Sequence, residues 1–442
     1  MQSRPNVVML VADDHQSTAM HWAGCKAVHT PHLDRLAARG TAFTRAYHMG
    51  GCDDAVCVPT RASLLTGMDF YGSMRGGRGV IDPDRVTLPE CFKRNGYHSY
   101  VTGKWHNDTA SLTRSFNDGA AIFAGGMDDH YATPLRSFDP SGLFPEKQIE
   151  ECKNFATDQF CDTACEFIKD YDREQPFFLY CAFTAPHDPR TPPIDHIQHY
   201  KAGQIPVPTN FIPEHPFDLG VKNIRDECLA PYPRTPERIQ KELTDYYGMI
   251  TAMDAGIGRI LNALEMSHQL DNTITIYTGD HGLAVGQHGL LGKQNVYEHS
   301  ARVPFIMAGP NIPVNQVSES LIYSWDCYAT LCGLCELETP EGVDSLNLIA
   351  TLENPRAEHR DSIVNLYMDN QRMITETRWK LIASHMDSAT RYQLFDLFED
   401  PSETIDRFGE SNCAHHYDRL RSKLARSSVG LPVSSGQQTG HS

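Results

Sequence analysis

The chain contains no run of about 20 apolar residues, so nothing in it reads as a membrane span. It is also short of positive charge: 39 Lys and Arg stand against 56 Asp and Glu, a formal net charge of -17. Nucleic acids and anionic membrane surfaces are bound by clustered Lys and Arg, so both are excluded as partners, and an anionic substrate needs a locally basic pocket. Residues 1–5 lead straight into an apolar stretch, without the apolar core of roughly 7–15 residues that marks a secretory leader. The expected location is therefore the cytoplasm, or the periplasm or exterior if a leader has been removed. The 13 cysteines are odd in number and follow no regular spacing, so a disulfide framework is not expected and most read as small buried hydrophobes. Internal repeats are lacking too, and the one low-complexity stretch is the tail from Ser427, expected to fray.

What is present is the pattern of a large α/β protein. At 442 residues the chain exceeds one simple core, and a prior of about 150 residues per domain suggests two or three units. Residues 6–12 are almost continuously apolar and end in Asp13-Asp14, which reads as a strand buried on both faces with two carboxylates at its tip. Thr30-Pro31 opens a helix that Gly40 stops. Further buried strands are expected at 97–102, 177–183, 273–278 and 303–308, with amphipathic helices through 160–168 and 246–264 between them. That alternation predicts an α/β/α sandwich with a large, mostly parallel sheet over residues 1–347 and ligand-binding residues at the C-terminal ends of the strands. Residues 348–442 turn to short polar segments with strand-like pieces at 363–367, 372–376, 379–383 and 393–396, a small antiparallel sheet with a helix. Residues 189–236 are rich in proline and lack periodicity, which suggests a functional loop over the active-site face.

The chemistry centres on Cys57-Val58-Pro59-Thr60-Arg61, followed by Ala62-Ser63-Leu64-Leu65-Thr66-Gly67. A cysteine ahead of a proline-led helix lies where free N–H groups and the helix dipole favour an anion, and Arg61 can reach back from one turn on. Asp13, Asp14 and Asp280 sit at the tips of two expected strands, and three gathered carboxylates call for a hard cation such as Ca²⁺ or Mg²⁺.

The segment CVPTR with ASLLTG resembles the C-x-P-x-R signature of the type I sulfatases of the alkaline phosphatase superfamily, whose cysteine is oxidised to formylglycine. Further motifs follow in that family's order: Asp13-Asp14, Gly103-Lys104-Trp105-His106, Ala185-Pro186-His187, Gly279-Asp280-His281-Gly282, Gly292-Lys293, and a closing Tyr392-Gln393-Leu394-Phe395-Asp396-Leu397 with Asp400-Pro401. The resemblance implies a metal held by Asp13, Asp14, Asp280, His281 and the formylglycine at Cys57, with His281 standing where much of the family has Asn. It also implies roles. A hydroxyl of the hydrated aldehyde, deprotonated with help from Asp280, attacks sulfur; Arg61 and Lys104 hold the diol and sulfate oxygens; Lys293 and His187 serve the leaving alcohol; His106 accepts the proton that lets sulfate depart. A formylglycine-generating enzyme is an implied partner.

The strings around His187 and Lys293 are similar to a bacterial branch near iduronate and polysaccharide sulfatases, so a sulfated sugar is the expected substrate. Trp105, Asn107, Asp188, Arg190 and the 189–236 segment are its expected contacts, Asp188 and Arg190 through hydrogen bonds. The rival readings are a phosphonate monoester or phosphodiester hydrolase of the same superfamily and a catalytically inactive binding protein that keeps the fold.

Overall fold

The computed structural model describes residues 4–201, 203–386 and 389–431, apart from the Lys147 side chain. Eight strands form the central sheet: β1 (Asn6–Ala12), β2 (Gly40–Phe43), β3 (His98–Lys104), β4 (Asp118–Phe123), β5 (Phe177–Ala182), β6 (Thr273–Gly279), β7 (Phe305–Ala308) and β8 (Gln316–Ser318). Their spatial order is β8-β2-β7-β6-β1-β5-β3-β4, and only β7 runs antiparallel to its neighbours. The mostly parallel sheet expected from the sequence is present.

The apolar run of β1 is continuous because both faces are covered. Val7, Met9 and Val11 enter one core cluster, and Val8, Leu10 and Ala12 enter the other. The same split divides β5: Phe178 and Tyr180 go one way, Phe177 and Leu179 the other. Helices α1 (Pro31–Ala38), α3 (Ala156–Asp170) and α4 (Pro236–Met266) cover one face through Leu33, Phe160, Met249 and Ile257. Helices α2 (Cys57–Thr66) and α5 (Cys327–Leu334) cover the other through Leu64, Leu65 and Leu331.

A second sheet follows from β9 (Ile363–Tyr367), β10 (Gln371–Thr375), β11 (Trp379–Met386) and β12 (Ala389–Asp396), antiparallel throughout, with α6 (Ala414–Arg426) packed on it by Leu420 and Leu424. Its fifth strand comes from far back in the chain: Gly50–Gly51 pairs in parallel with β9. Leu366 N donates to Met49 O (2.9 Å) and Met368 N to Gly51 O (2.8 Å), so the small sheet grips the segment that leads into Cys57. Leu348 and Leu352 still pack in the core cluster of the large sheet.

All 13 cysteines are free thiols, and ten are buried, as small hydrophobes would be. The spacing is less irregular than expected, because Cys332 and Cys335 form a C-x-x-C pair at the end of α5. Cys332 Sγ lies 4.0 Å from Cys91 Sγ. Of the tail expected to fray, Ser427 caps α6 and Val429 is buried; residues 432–442 lie outside the described residues. No helix among the described residues is long and apolar enough to cross a membrane.

Candidate active site

Parallel strands deliver their C-terminal tips to one edge of the sheet, and the tips of β1, β3, β5 and β6 carry most of the expected residues there. Asp13 and Asp14 follow β1, Trp105 and His106 follow β3, and Asp280 and His281 follow β6. Two of these turns hold a non-glycine residue in left-handed backbone, Asp14 at φ 65° and His106 at φ 60°. Such conformations cost about 1–3 kcal/mol each and persist where packing imposes them, commonly at functional sites.

Cys57 is the first residue of α2 and is buried. Pro59 therefore stands third in the helix rather than first. It is tolerated there because none of the first four N–H groups has a partner within the helix. Cys57 Sγ and His106 Nδ1 are 3.2 Å apart. Burial alone would push the Cys57 thiol up. Lys104 and His106, with hydrogen bonds from His106 and His281, outweigh it and hold the thiol well below its usual range. Burial, followed by Lys104 and Arg61, holds His106 down against the pull of Cys57, so its imidazole is a proton acceptor at neutral pH. Gly126 makes room for that ring: a Cβ there would fall 2.6 Å from His106 Nε2.

Behind Cys57 the carboxylates converge. Asp14 N donates to Asp280 Oδ1 (3.3 Å), and His281 Nδ1 lies 3.1 Å from Asp14 Oδ1. Asp13 Oδ1 and His281 Nε2 have no hydrogen-bond partner although both are buried, and they lie 3.9 Å apart; His281 Nε2 is 3.6 Å from Asp280 Oδ1. Asp13, Asp14 and His281 can share one ion. Unpartnered oxygen and imidazole nitrogen atoms facing one point are the donor set a divalent cation requires, so these residues fit one. Burial disfavours charge on His281, yet the carboxylates of Asp280 and Asp14 push it up to about 9, a proton that a bound cation would displace. Burial and repulsion from Asp13 likewise raise Asp280.

The repulsion among the carboxylates is not left to a metal alone, as the sequence suggested. Arg61 Nε donates to Asp280 Oδ2 (3.0 Å), Arg61 Nη2 lies 3.6 Å from Asp13, Lys104 Nζ bonds Asp13 Oδ2, and Lys293 Nζ donates to Asp14 Oδ1 (3.0 Å). Three fixed cations thus answer three carboxylates. Arg61 was expected to face diol and sulfate oxygens. Its Nη1 instead donates to Lys104 O (2.9 Å), so it braces the carboxylates and the strand tip; only Nη2 is unpartnered. Lys293 also donates to His187 Nε2 (2.8 Å), which leaves the His187 proton on Nδ1, directed at Asp188 O (2.7 Å).

A cavity of about 370 Å³ opens over Cys57, with His106, His187 and Lys293 at its inner end. The expected substrate contacts fare differently. Trp105 is fully buried, edge-on to Phe116 (5.6 Å) and Tyr180 (6.1 Å), with Nε1 donating to Asp108 O (2.9 Å); it is a core residue and does not reach the cavity. Asn107 is turned to the backbone oxygens of Val58 and Gly79 (3.4 Å each), and Arg190 is buried against Glu242 (3.0 Å) and the Tyr246 ring. Both pin loops. Asp188 is buried too and clamps Arg225, which does line the cavity. Among the described residues, the 189–236 loop reaches the site at Ile224, Arg225 and Asp226. Sequence reasoning named that loop without singling out these residues, and it missed Asp54, Arg78, Met127 and Gln294. Only Asp54, three residues before Cys57, and Gln294, beside Lys293, carried a positional hint.

Residues 5–337 match the sulfatase family model, and residues 286–429 match the C-terminal model of N-sulphoglucosamine sulphohydrolase. The chain is similar to the N-acetylglucosamine-6-O-sulfatase of Bacteroides thetaiotaomicron, 26% identical over 95% of this chain and 86% of the relative. Its fold is similar to that of a structure solved in complex with its substrate D-glucosamine-2-N,6-O-disulfate, with a TM-score of 0.80, 24% identity, and 96% and 97% of the two chains covered. It is similar also to the phosphonate monoester hydrolase of Agrobacterium radiobacter, with a TM-score of 0.76, 22% identity and 95% of each chain covered. With a family model spanning three quarters of its length, and with Cys57, carboxylates and cations gathered at one edge of the sheet, the chain belongs to the sulfatase family of sulfuric ester hydrolases.

Proposed function

We propose that the protein hydrolyses a sulfate ester of a sugar, using formylglycine made from Cys57 beside a divalent cation held by Asp13, Asp14, Asp280 and His281. The observation that carries this reading is the setting of Cys57: a buried thiol at a helix N-terminus, 3.2 Å from His106 Nδ1, with acidic and basic groups packed behind it. The modified residue supplies a hydroxyl nucleophile and a route to release sulfate, and the cation, Ca²⁺ or Mg²⁺, supplies positive charge beside the ester oxygens.

The chain's own residues do the rest. Asp280, raised by burial and by Asp13, can accept a proton at the nucleophile, and Arg61 holds it in place. Lys104 and Lys293 keep two positive charges at the anion site, with Lys293 tied to Asp14 and His187 on the side where the alcohol departs. His106 faces position 57 from the other side as a neutral base. A sugar substrate is supported by the similarity to a sulfatase acting on N-acetylglucosamine sulfate. A formylglycine-generating enzyme is then a required partner, because an unmodified cysteine adduct has no internal route to break down.

The test is mass spectrometry of the Cys57 peptide paired with turnover of an aryl sulfate and an aryl phosphodiester on the same preparations. Sulfatase activity should track the converted fraction, and Cys57→Ala should lose roughly 10⁴-fold or more. Sustained turnover without conversion would sink the nucleophile, and preference for the phosphodiester would move the reading to a phosphonate or phosphodiester hydrolase.

A further inference from the structure

The outer wall of the cavity has a charge pattern of its own. Arg78 Nη2 lies 2.8 Å from Asp53 Oδ1 and 3.2 Å from Asp54 Oδ1. In the adjoining cluster, Arg225 is clamped by both oxygens of Asp188 and donates to Asp226 Oδ1 (2.7 Å). The other oxygen of Asp226 accepts from Gln294 Nε2 (2.8 Å), so it too is held. Taken singly, two arginines over an anion site would read as receptors for a second anionic group. Here each guanidinium is answered by two carboxylates, so the two clusters together carry net negative charge, although of the four carboxylates only Asp54 and Asp226 line the cavity itself. Neighbouring groups register that field. Burial first, and then Asp54, Asp226 and Asp53, push the Tyr367 phenol up; burial, with Asp53 and Asp369, does the same to the Cys52 thiol. Gln294 Nε2 also donates to Asp54 O (3.2 Å) and so joins the two ion-paired clusters, and Met127 and Ile224 add apolar surface to the cavity.

We infer that this cavity selects a singly sulfated saccharide whose other groups are uncharged, and that Asp54 and Asp226, positioned by Arg78 and Arg225, disfavour substrates with a second sulfate or a carboxylate. The inference rests on the sulfate-ester reading above. The inner end supplies the cations that receive the scissile sulfate, so a second anion on the same sugar falls against the wall, where like charge meets it. Neutral hydroxyls find both partners they need there, since each Arg–Asp pair presents N–H donors beside carboxylate acceptors.

The experiment compares kcat/KM on matched saccharides that share the scissile sulfate and differ in a second anionic group, with an aryl sulfate as reference and fully converted protein. N-acetylglucosamine 6-sulfate and D-glucosamine-2-N,6-O-disulfate form one such pair. The singly sulfated member should be favoured about tenfold at low ionic strength. The ratio should shrink between 0.1 M and 1 M salt, where the screening length falls from about 10 Å to about 3 Å. Asp54→Asn should lower the ratio severalfold; this side chain is 66% exposed, so the substitution leaves the core alone. Equal or better use of the doubly charged members overturns the inference, as does a ratio that neither salt nor Asp54→Asn moves. If the aryl sulfate is turned over and no saccharide is, the selection is likewise wrong. If the aryl sulfate is not turned over either, it is the sulfate-ester reading that has failed.

Discussion

The inner end of the cavity and its outer wall both pair aspartates with cations, but they do so in different dielectric surroundings. At the inner end, the side chains of Asp13, Asp14, Arg61, Lys104, Asp280, His281 and Lys293 are at most 4% exposed. On the wall, Arg78, Arg225 and Asp54 are 55%, 45% and 66% exposed. Buried charges interact strongly and depend on one another, whereas wetted pairs are each worth about 0–1 kcal/mol and are screened by salt. Changes at the inner end should therefore alter the rate by orders of magnitude, and changes on the wall should alter selectivity by small factors.

The largest expected effect comes from removing the cation. Chelation should abolish activity, and Ca²⁺ or Mg²⁺ should restore it while raising the melting temperature, since an ion that binds only the folded state stabilises it by mass action. Full activity in metal-free protein, checked by elemental analysis, would break the comparison at its centre. Next in size, Lys293→Ala should lower kcat by roughly 10²–10³-fold. Lys293 is buried between Asp14 and His187, so the same change should also cost stability by leaving Asp14 short of a partner. An unchanged rate constant would take Lys293 out of the reaction.

Trp105 sharpens the contrast between packing and recognition. Trp105→Ala should cost about 3–5 kcal/mol in denaturant unfolding, the usual range for a buried aromatic. In whatever fraction stays folded, KM should be close to that of the parent protein. A raised KM without loss of stability would return Trp105 to the cavity.

The smallest effect lies outside both regions. Asp254 on α4 accepts N–H bonds from His32 (3.1 Å) and Leu33 (2.7 Å) at the start of α1, and burial pushes it up from 3.8 to about 7. The fold thus favours the protonated carboxyl. Its contribution to stability is complete below pH 3.8 and is lost as pH rises through about 7. Asp254→Asn, which cannot ionise, should remove a pH-dependent loss of up to about 4 kcal/mol between those limits. Unfolding curves that stay parallel for the two proteins across that range would show that Asp254 ionises in the fold as it does in water.

The reach of the sequence follows from which interactions leave a local trace. Strands β1, β5 and β6 were legible because a strand covered on both faces must be apolar at every position, and their tips were legible because charged residues end such runs. Cys57, Lys104, His187, Asp280 and Lys293 were named because the motifs that hold them resemble those of the sulfatases, and the structure brings them to one end of the sheet. Trp105 misled because its place in the motif resembles that of its functional neighbours. Successive residues past a strand tip point to opposite sides, so the core took Trp105 and the cavity took His106. Arg78, Met127 and Arg225 left no such trace. They come from three separate loops and meet only because the sheet sets their anchors side by side, and nothing in a loop's own composition records what lies across from it. Tertiary structure alone also decided that β9, more than 300 residues after Gly50–Gly51, pairs with that short strand and holds the approach to Cys57. Local periodicity determined the layers and the strand tips of this protein. Long-range pairing decided what those tips face, because a backbone hydrogen bond between distant segments imposes no side-chain pattern on either one.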